Sequence, residues 1–226
     1  MIALGVDTST PAGSVALVSA GRILGEINLE APGHHQERLL RVVDLLLDLS
    51  GTRMADVGVL GVGLGPGTFT GLRIGIATVK GLALAGGIPA HGFSTLEAMA
   101  RTYRDRGLPV APMIDAGRGE VYAGLFDAAA EAPRSLLKER GGSPREFLEA
   151  LPEGPVLFCG DGAFRNCDLI AQVRGSADWV EPNPCFLGGT LARWAAERQA
   201  GRMPWSLSAL QPNYIRPPDA EIRPRR

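Results

Sequence analysis

Residues 2–18 read IALGVDTSTPAGSVALV. An apolar run rich in strand formers ends on Asp7. Hydroxyl residues and a proline follow, and a second apolar run closes the stretch. The first run has the composition of a strand over residues 2–7, and TSTPAG has the composition of a turn. Residues 110–127, VAPMIDAGRGEVYAGLFD, repeat the arrangement with Asp115 in the place of Asp7.

Working outward, residues 14–30 read as two strands around Ala20 and Gly21. A helix is expected over 35–49, with Gly51 just past its end, where a left-handed cap is cheap. A strand over 57–63, a helix over 71–85 and a short strand near 87–93 follow. Ser94 and Glu97 have the spacing of a capping box for a helix over 95–104. The second half is a shortened echo. It has a third strand near 135–139, a helix over 144–151, a strand and turn in GPVLFCGDGAF (154–164), and helices over 163–173 and 187–199. The tail, LQPNYIRPPDAEIRPRR, is too rich in proline for regular structure. RDRGLP (104–109) breaks the pattern, so subdomains of 1–106 and 107–226 are expected, with the C-terminal helix and tail packing back on the first. Two units that each open with strand, aspartate and hairpin point to an α/β fold. Its class is the actin-like or sugar-kinase-like one, with ribonuclease H-like subdomains facing each other across a nucleotide cleft.

The net charge is -1 and the pI about 6.3. No basic excess exists to neutralise phosphates, so any contact with nucleic acid needs a partner. The three cysteines, Cys159, Cys167 and Cys185, form no CxxC pair, and their odd number argues against a disulfide framework. They are expected as small buried thiols in a reducing cytoplasm. The opening MIALGVDTST has no basic leader, and every long apolar run is interrupted, so neither a signal peptide nor a membrane span is expected.

Residues 63–75, GLGPGTFTGLRIG, hold five glycines between a strand and a helix. A phosphate-binding GxxxxGK does not fit, because Gly65 and Gly71 are one residue too far apart and Leu72 stands where the lysine belongs. GxGxxG fails as well: counted from Gly61 the sixth residue is Pro66, and from Gly63 it is Thr68. A structural role, with Thr68 or Thr70 capping the helix, stands ahead of an anion cradle built from the helix's first amides.

DTST at 7–10, HHQERLL at 34–40, the glycine stretch, STLEAMA at 94–100 and NYIR at 213–216 together resemble the bacterial tRNA threonylcarbamoyladenosine biosynthesis family TsaB. The resemblance is dense over the first hundred residues and thin over 128–209. It implies a degenerate actin-like protein that is not itself an enzyme. It would act as a scaffold for a TsaD-like catalytic subunit and a TsaE-like ATPase, reach tRNA only through that complex, and form a homodimer when alone. In TsaD an HxxxH motif holds the metal. Here Thr95 and Met99 fall at those positions, and a hydroxyl and a thioether are poor ligands for iron or zinc. His34 and His35 are adjacent and cannot grip one ion as an i, i+4 pair would; His91 is the third histidine. No metal and no cofactor is therefore expected. The family often reads His-Ser-Glu and then Leu-Leu-Pro, whereas this chain has His35-Gln36-Glu37 and then Leu39-Leu40-Arg41, which favours a more regular helix. By position in the fold, Asp7, Thr8, Ser9, Asp115, Gly160 and Asp161 match a nucleotide site in vestigial form. The alternative is that the aspartates only stabilise turns. Competing functions are an ATPase or phosphotransferase of the same fold and a glycoprotease-like peptidase.

The first long helix carries an unusually wide apolar arc. At 100° per residue Leu39, Val42, Val43, Leu46 and Leu49 cluster, with Leu40 and Leu47 on one flank and Leu45 on the other. The arc is about 220° wide, where covering a core takes roughly 100°. The helix after the glycine stretch has only Arg73, Thr78 and Lys80 as polar residues, and Gly75, Ala77, Gly81 and Ala83 permit a close neighbour. Leu39, Leu40, Val43, Leu46, Leu47, Leu72, Ile76 and Val79 are the expected partner surface, facing a TsaD-like chain or a second copy.

Overall fold

The computed structural model describes residues 1–30, 35–130, 132–175, 179–181 and 185–215, with 35–37 described by their backbone alone. The described residues divide into two compact units, 1–98 with 186–213 and 99–185 with 214–215. The first contains β1 (Ile2–Asp7), β2 (Ala12–Ser19), β3 (Arg22–Glu30), α1 (His35–Leu49), β4 (Val57–Gly63), α2 (Phe69–Gly86) and β5 (Ala90–Phe93). Helix α3 (Thr95–Thr102) carries the division within it. The second unit has β6 (Val110–Gly117), β7 (Glu120–Asp127), β8 (Arg134–Gly142), α4 (Pro144–Glu149), β9 (Leu157–Cys159), α5 (Asp161–Arg165), α6 (Cys167–Arg174) and β10 (Trp179–Val180). Helix α7 (Gly188–Ala200) belongs to the first unit.

The two sheets share one topology. The first runs β3-β2-β1-β4-β5 and the second β8-β7-β6-β9-β10. In each, the first three strands form antiparallel hairpins, and the fourth lies parallel beside the first. The fifth strand is parallel to the fourth. A hairpin returns antiparallel with little chain, whereas a parallel neighbour requires a crossover. Helix α1 supplies that crossover in the first unit.

Strand alternation decides which helices cover which face. Leu4, Val6, Leu60 and Val62 pack in one core with Leu39, Val43 and Leu46 of α1 and Leu72, Ile76 and Val79 of α2. On the other face α7 lies so close that a Cβ at Gly61 would meet the Leu191 carbonyl oxygen at 2.5 Å. Only glycine admits that approach. The second core gathers Met113, Val121, Leu125, Phe147, Phe158 and Ile170. Its sheet keeps five strands, but β9 and β10 have three and two residues, and α4 has six against fifteen in α1.

Some details differ from the sequence reading. The helix expected over 163–173 is two helices, broken at Asn166, whose side-chain amide donates to the Gly162 carbonyl at 2.8 Å. This local bond competes with helix continuation. Strand β10 was not foreseen, because two residues carry no periodicity. Thr68 does occupy the cap position of α2, but its side chain makes no capping bond. Cys159 and Cys185 are buried as expected, whereas Cys167 is exposed. Among the described residues no helix is long and apolar enough to cross a membrane.

Candidate functional site

The turn after β1 is locked against the glycine stretch. The Thr8 hydroxyl donates to the Gly71 carbonyl at 2.7 Å, and the Thr68 amide donates to the Ser9 carbonyl at 2.7 Å. A Cβ at Gly71 would collide with the Thr8 carbonyl oxygen, and one at Gly67 with that of Ser9. The glycines thus let two backbones touch, which is the structural role expected of the stretch. Two outside segments complete the lock: Asn213 donates its amide to the Leu64 carbonyl at 2.6 Å, and the Thr95 hydroxyl accepts from the Gly65 amide at 3.1 Å.

Within this lock Asp7 is fully buried. Gly63 leaves room for its carboxylate, since a Cβ there would meet Oδ1 at 2.5 Å. The Ser9 amide donates to Asp7 Oδ1 at 3.2 Å. Among the described residues Asp7 Oδ2 and the buried Ser9 hydroxyl have no partner in hydrogen-bond geometry, although the Ser9 hydroxyl lies near enough to the Asp7 carboxyl to favour its charged form. Burial pushes the Asp7 carboxyl up from 3.8 to about 6, offset in part by the Ser9 hydroxyl and by the Ser9 and Thr8 amides. A purely turn-stabilising aspartate would not need to be buried with one oxygen unmatched, because such an atom costs roughly 1–3 kcal/mol.

In the second unit the matching turn is differently engaged. Asp115 accepts from the Gly117 amide at 2.9 Å and forms an ion pair with Arg165 at 2.6 Å. Asp161 accepts from its neighbour Gly162 at 3.0 Å and from the Asp115 amide at 3.3 Å. Burial raises the Asp161 pKa, and the nearby Asp115 charge adds to this. Gly160 precedes it with φ +94°. Asp115, Gly160 and Asp161 therefore lie together in the second unit, whereas Asp7, Thr8 and Ser9 belong to the first. Arg165, which takes up the Asp115 charge, was missed, because its separation in sequence gives no hint of the contact.

The positions matching HxxxH are committed to packing. Thr95 is buried and bonded to Gly65 through both its backbone and its hydroxyl. Met99 is buried with its methyl group beside Gly160. His34 and the side chain of His35 lie outside the described residues. His91 is buried with Nε2 unmatched among the described residues, and burial followed by the Arg198 charge lowers its pKa despite Gln199 beside the ring. Among the described residues no group of three or more histidine, cysteine or acidic side chains could hold a metal ion.

The expected partner surface needs correction. Leu39, Val43, Leu46, Leu47, Leu72, Ile76 and Val79 are all buried in the first unit's own core. A helix lying on a sheet and beside another helix uses much more of its circumference than one lying on a sheet alone. Of the eight, Leu40 remains outward, at 55% exposure. On these two helices the other exposed leucines are Leu45 (50%) and Leu49 (74%) of α1 and Leu84 (76%) of α2. Leu45 was legible as a flank of the arc, whereas Leu49 was read as part of its central cluster. Leu84 follows exposed Ala77 and Gly81 along α2, where a Cβ on Gly81 would meet nothing within 4 Å.

Two units with one shared strand order, each bearing an aspartate turn after its first strand, have the actin-like and sugar-kinase-like fold. In keeping with this, component A of (R)-2-hydroxyglutaryl-CoA dehydratase from Acidaminococcus fermentans shares the fold at 8% identity, with a TM-score of 0.53 over 88% of this chain and 98% of that one. A family model described as TsaD, tRNA N6-adenosine threonylcarbamoyltransferase, matches residues 27–166. The tRNA threonylcarbamoyladenosine biosynthesis protein TsaB of Haemophilus influenzae is 40% identical over 196 residues, 81% of this chain and 82% of that protein. TsaB of Escherichia coli is 45% identical over 121 residues, a match spanning about half of each protein (53% and 52%). The structure of YeaZ from Pseudomonas aeruginosa superimposes with a TM-score of 0.80 at 30% identity, covering 95% of this chain and 100% of that one. The chain belongs to the family that this model describes, and within it to TsaB.

Proposed function

We propose that this chain is a non-catalytic assembly subunit in tRNA threonylcarbamoyladenosine biosynthesis, a degenerate partner of a threonylcarbamoyl transferase. It pairs through α1 and α2 with a TsaD-like catalytic subunit, works with a TsaE-like ATPase, and meets tRNA through that complex in the cytoplasm. Alone, it uses the same face to form a homodimer. The observation that carries this reading is the exposure of Leu40, Leu45, Leu49 and Leu84 on helices whose inner faces already fill a core. Exposed apolar groups of this kind on a folded protein mark interaction surfaces. Packing of Thr95 and Met99 where a transferase would keep its metal ligands supports the non-catalytic assignment.

The test is size-exclusion chromatography with light scattering, on the chain alone and mixed with a TsaD-like subunit. The Leu45→Glu, Leu49→Glu double variant is expected to stay folded, run as a monomer and fail to bind the partner, because a buried unpaired carboxylate is costly. Unchanged association of a folded double variant would overturn the assignment of this face.

A second reading is favoured by Asp7. Its Oδ2, unmatched among the described residues, fits a retained nucleotide or magnesium contact. Calorimetry with ATP and magnesium on the native chain and on Asp7→Ala decides it: heat that vanishes in the variant supports retained binding, and no heat from either chain removes this reading.

A further inference from the structure

The outer side of α1 carries a charge pattern that is complementary to itself. Arg41, Asp44, Leu45, Asp48 and Leu49 are exposed. At 100° per residue, Arg41, Leu45, Asp48 and Leu49 fall within an arc of about 100°. They form one seam along the outside of the helix, opposite Leu39, Val43 and Leu46, which fill the core. Arg41 lies four residues before Leu45, and Asp48 three residues after it. Among the described residues no ion pair engages Arg41 or Asp48.

We propose that α1 pairs antiparallel with α1 of a second copy, across a twofold axis at Leu45, and that Arg41 and Asp48 select that partner. This pairing rests on the reading of the α1 and α2 face as a docking surface, and it specifies which residues meet there. A twofold axis uses the same patch on both copies, so each contact between unlike residues is made twice. An antiparallel neighbour brings Arg41 level with Asp48 of the second copy and sets Leu45 against its own counterpart. Leu49 lies on the same seam, one turn beyond Leu45, and widens the apolar centre. A parallel pair would instead set Arg41 against Arg41 and Asp48 against Asp48, and like charges face to face turn a partner away. Charges that flank an apolar seam set partner choice and orientation in paired helices generally. Asp44 is turned about 100° from Leu45 and sits at the rim, where water and salt screen it.

The test measures dimerisation of the full chain by sedimentation equilibrium at low and high salt. Native chain, Arg41→Asp and Asp48→Arg are measured alone, and the two variants are also measured as an equal mixture. The native chain is expected to dimerise, more weakly as salt rises. Each variant alone faces like charges at both ends of the seam, so its dimer should weaken by roughly tenfold or more. In the mixture, unlike charges meet at both ends again, and dimers should reappear. Both substitutions are on the exposed side of the helix, and circular dichroism should show the native fold in each. A native chain that stays monomeric at low salt would overturn the pairing and leave a TsaD-like chain as the occupant of the face. Folded variants that dimerise as the native chain does, or a mixture that associates no better than its components, would overturn it as well. The Leu45→Glu, Leu49→Glu variant separates the two levels. If it dissociates while both charge variants pair normally, the docking face stands and the antiparallel pairing falls; if it too pairs normally, both fall.

Discussion

Asp7 is a carboxylate placed where water does not reach it, with one oxygen unmatched. Its pKa, raised from 3.8 to about 6, has a definite consequence for stability. The folded state holds this proton more tightly than the unfolded chain does. Asp7 therefore costs nothing below about pH 4, and stability falls as pH rises toward 6, by on the order of 3 kcal/mol once the group is ionised in both states. Asp7→Asn is expected to stabilise the chain by roughly 1–3 kcal/mol at pH 7.5 and to leave it little changed at pH 4. Urea midpoints at the two pH values check this, and equal shifts at both would show that burial of charge is not the cause. His91 acts in the opposite direction. Its lowered pKa means that the unfolded chain takes up the proton first, so this contribution is intact above about pH 6.5 and is lost on acidification. His91→Gln should flatten the decline in thermal midpoint below that pH.

At the scale of elements, α1 and α2 each serve two neighbours. Leu46 faces the core, and Leu46→Ala should cost about 2–5 kcal/mol through the cavity it leaves. Gly71 and Gly81 lie on the same helix and should respond with opposite sign. Gly71→Ala drives a methyl group into the Thr8 backbone, and overpacking of this kind costs about 1–3 kcal/mol. Gly81 faces open space in an exposed turn, so Gly81→Ala should stabilise the free chain by about 1 kcal/mol from helix propensity. If α2 docks closely on a partner helix, the same substitution should weaken association. Thermal melts paired with light scattering measure both effects. A variant that is more stable and associates as before would place the interface elsewhere.

For the whole molecule, the repeated five-stranded topology provides two aspartate turns, but they are not chemically equivalent. Asp115 is engaged by the Gly117 amide on one oxygen and by Arg165 on the other. Asp7 retains an oxygen unmatched among the described residues. An ATPase of this class would need free acids near magnesium and phosphate, so the isolated chain is expected to hydrolyse ATP no faster than a protein-free control. A phosphate-release assay with magnesium checks it. Turnover that disappears in Asp7→Ala would sink the prediction.

The repeat of strand, aspartate and hairpin was legible because strand alternation and turn chemistry are local, and both recur at residues 2–18 and 110–127. The helix over 35–49 was equally legible, since its period spans four turns. The glycine stretch could be denied a P-loop by spacing alone. What covers each helix face was not local. Seven of the eight residues assigned to a partner proved to be core, because α1 meets both the sheet and α2, and an apolar arc does not state how many neighbours it has. The Arg165 partner of Asp115 lies far from it in the chain, and the unmatched oxygen of Asp7 depends on burial. Patterning determines which residues avoid water; only the tertiary fold decides which of them meet, and which polar atoms are left without a partner.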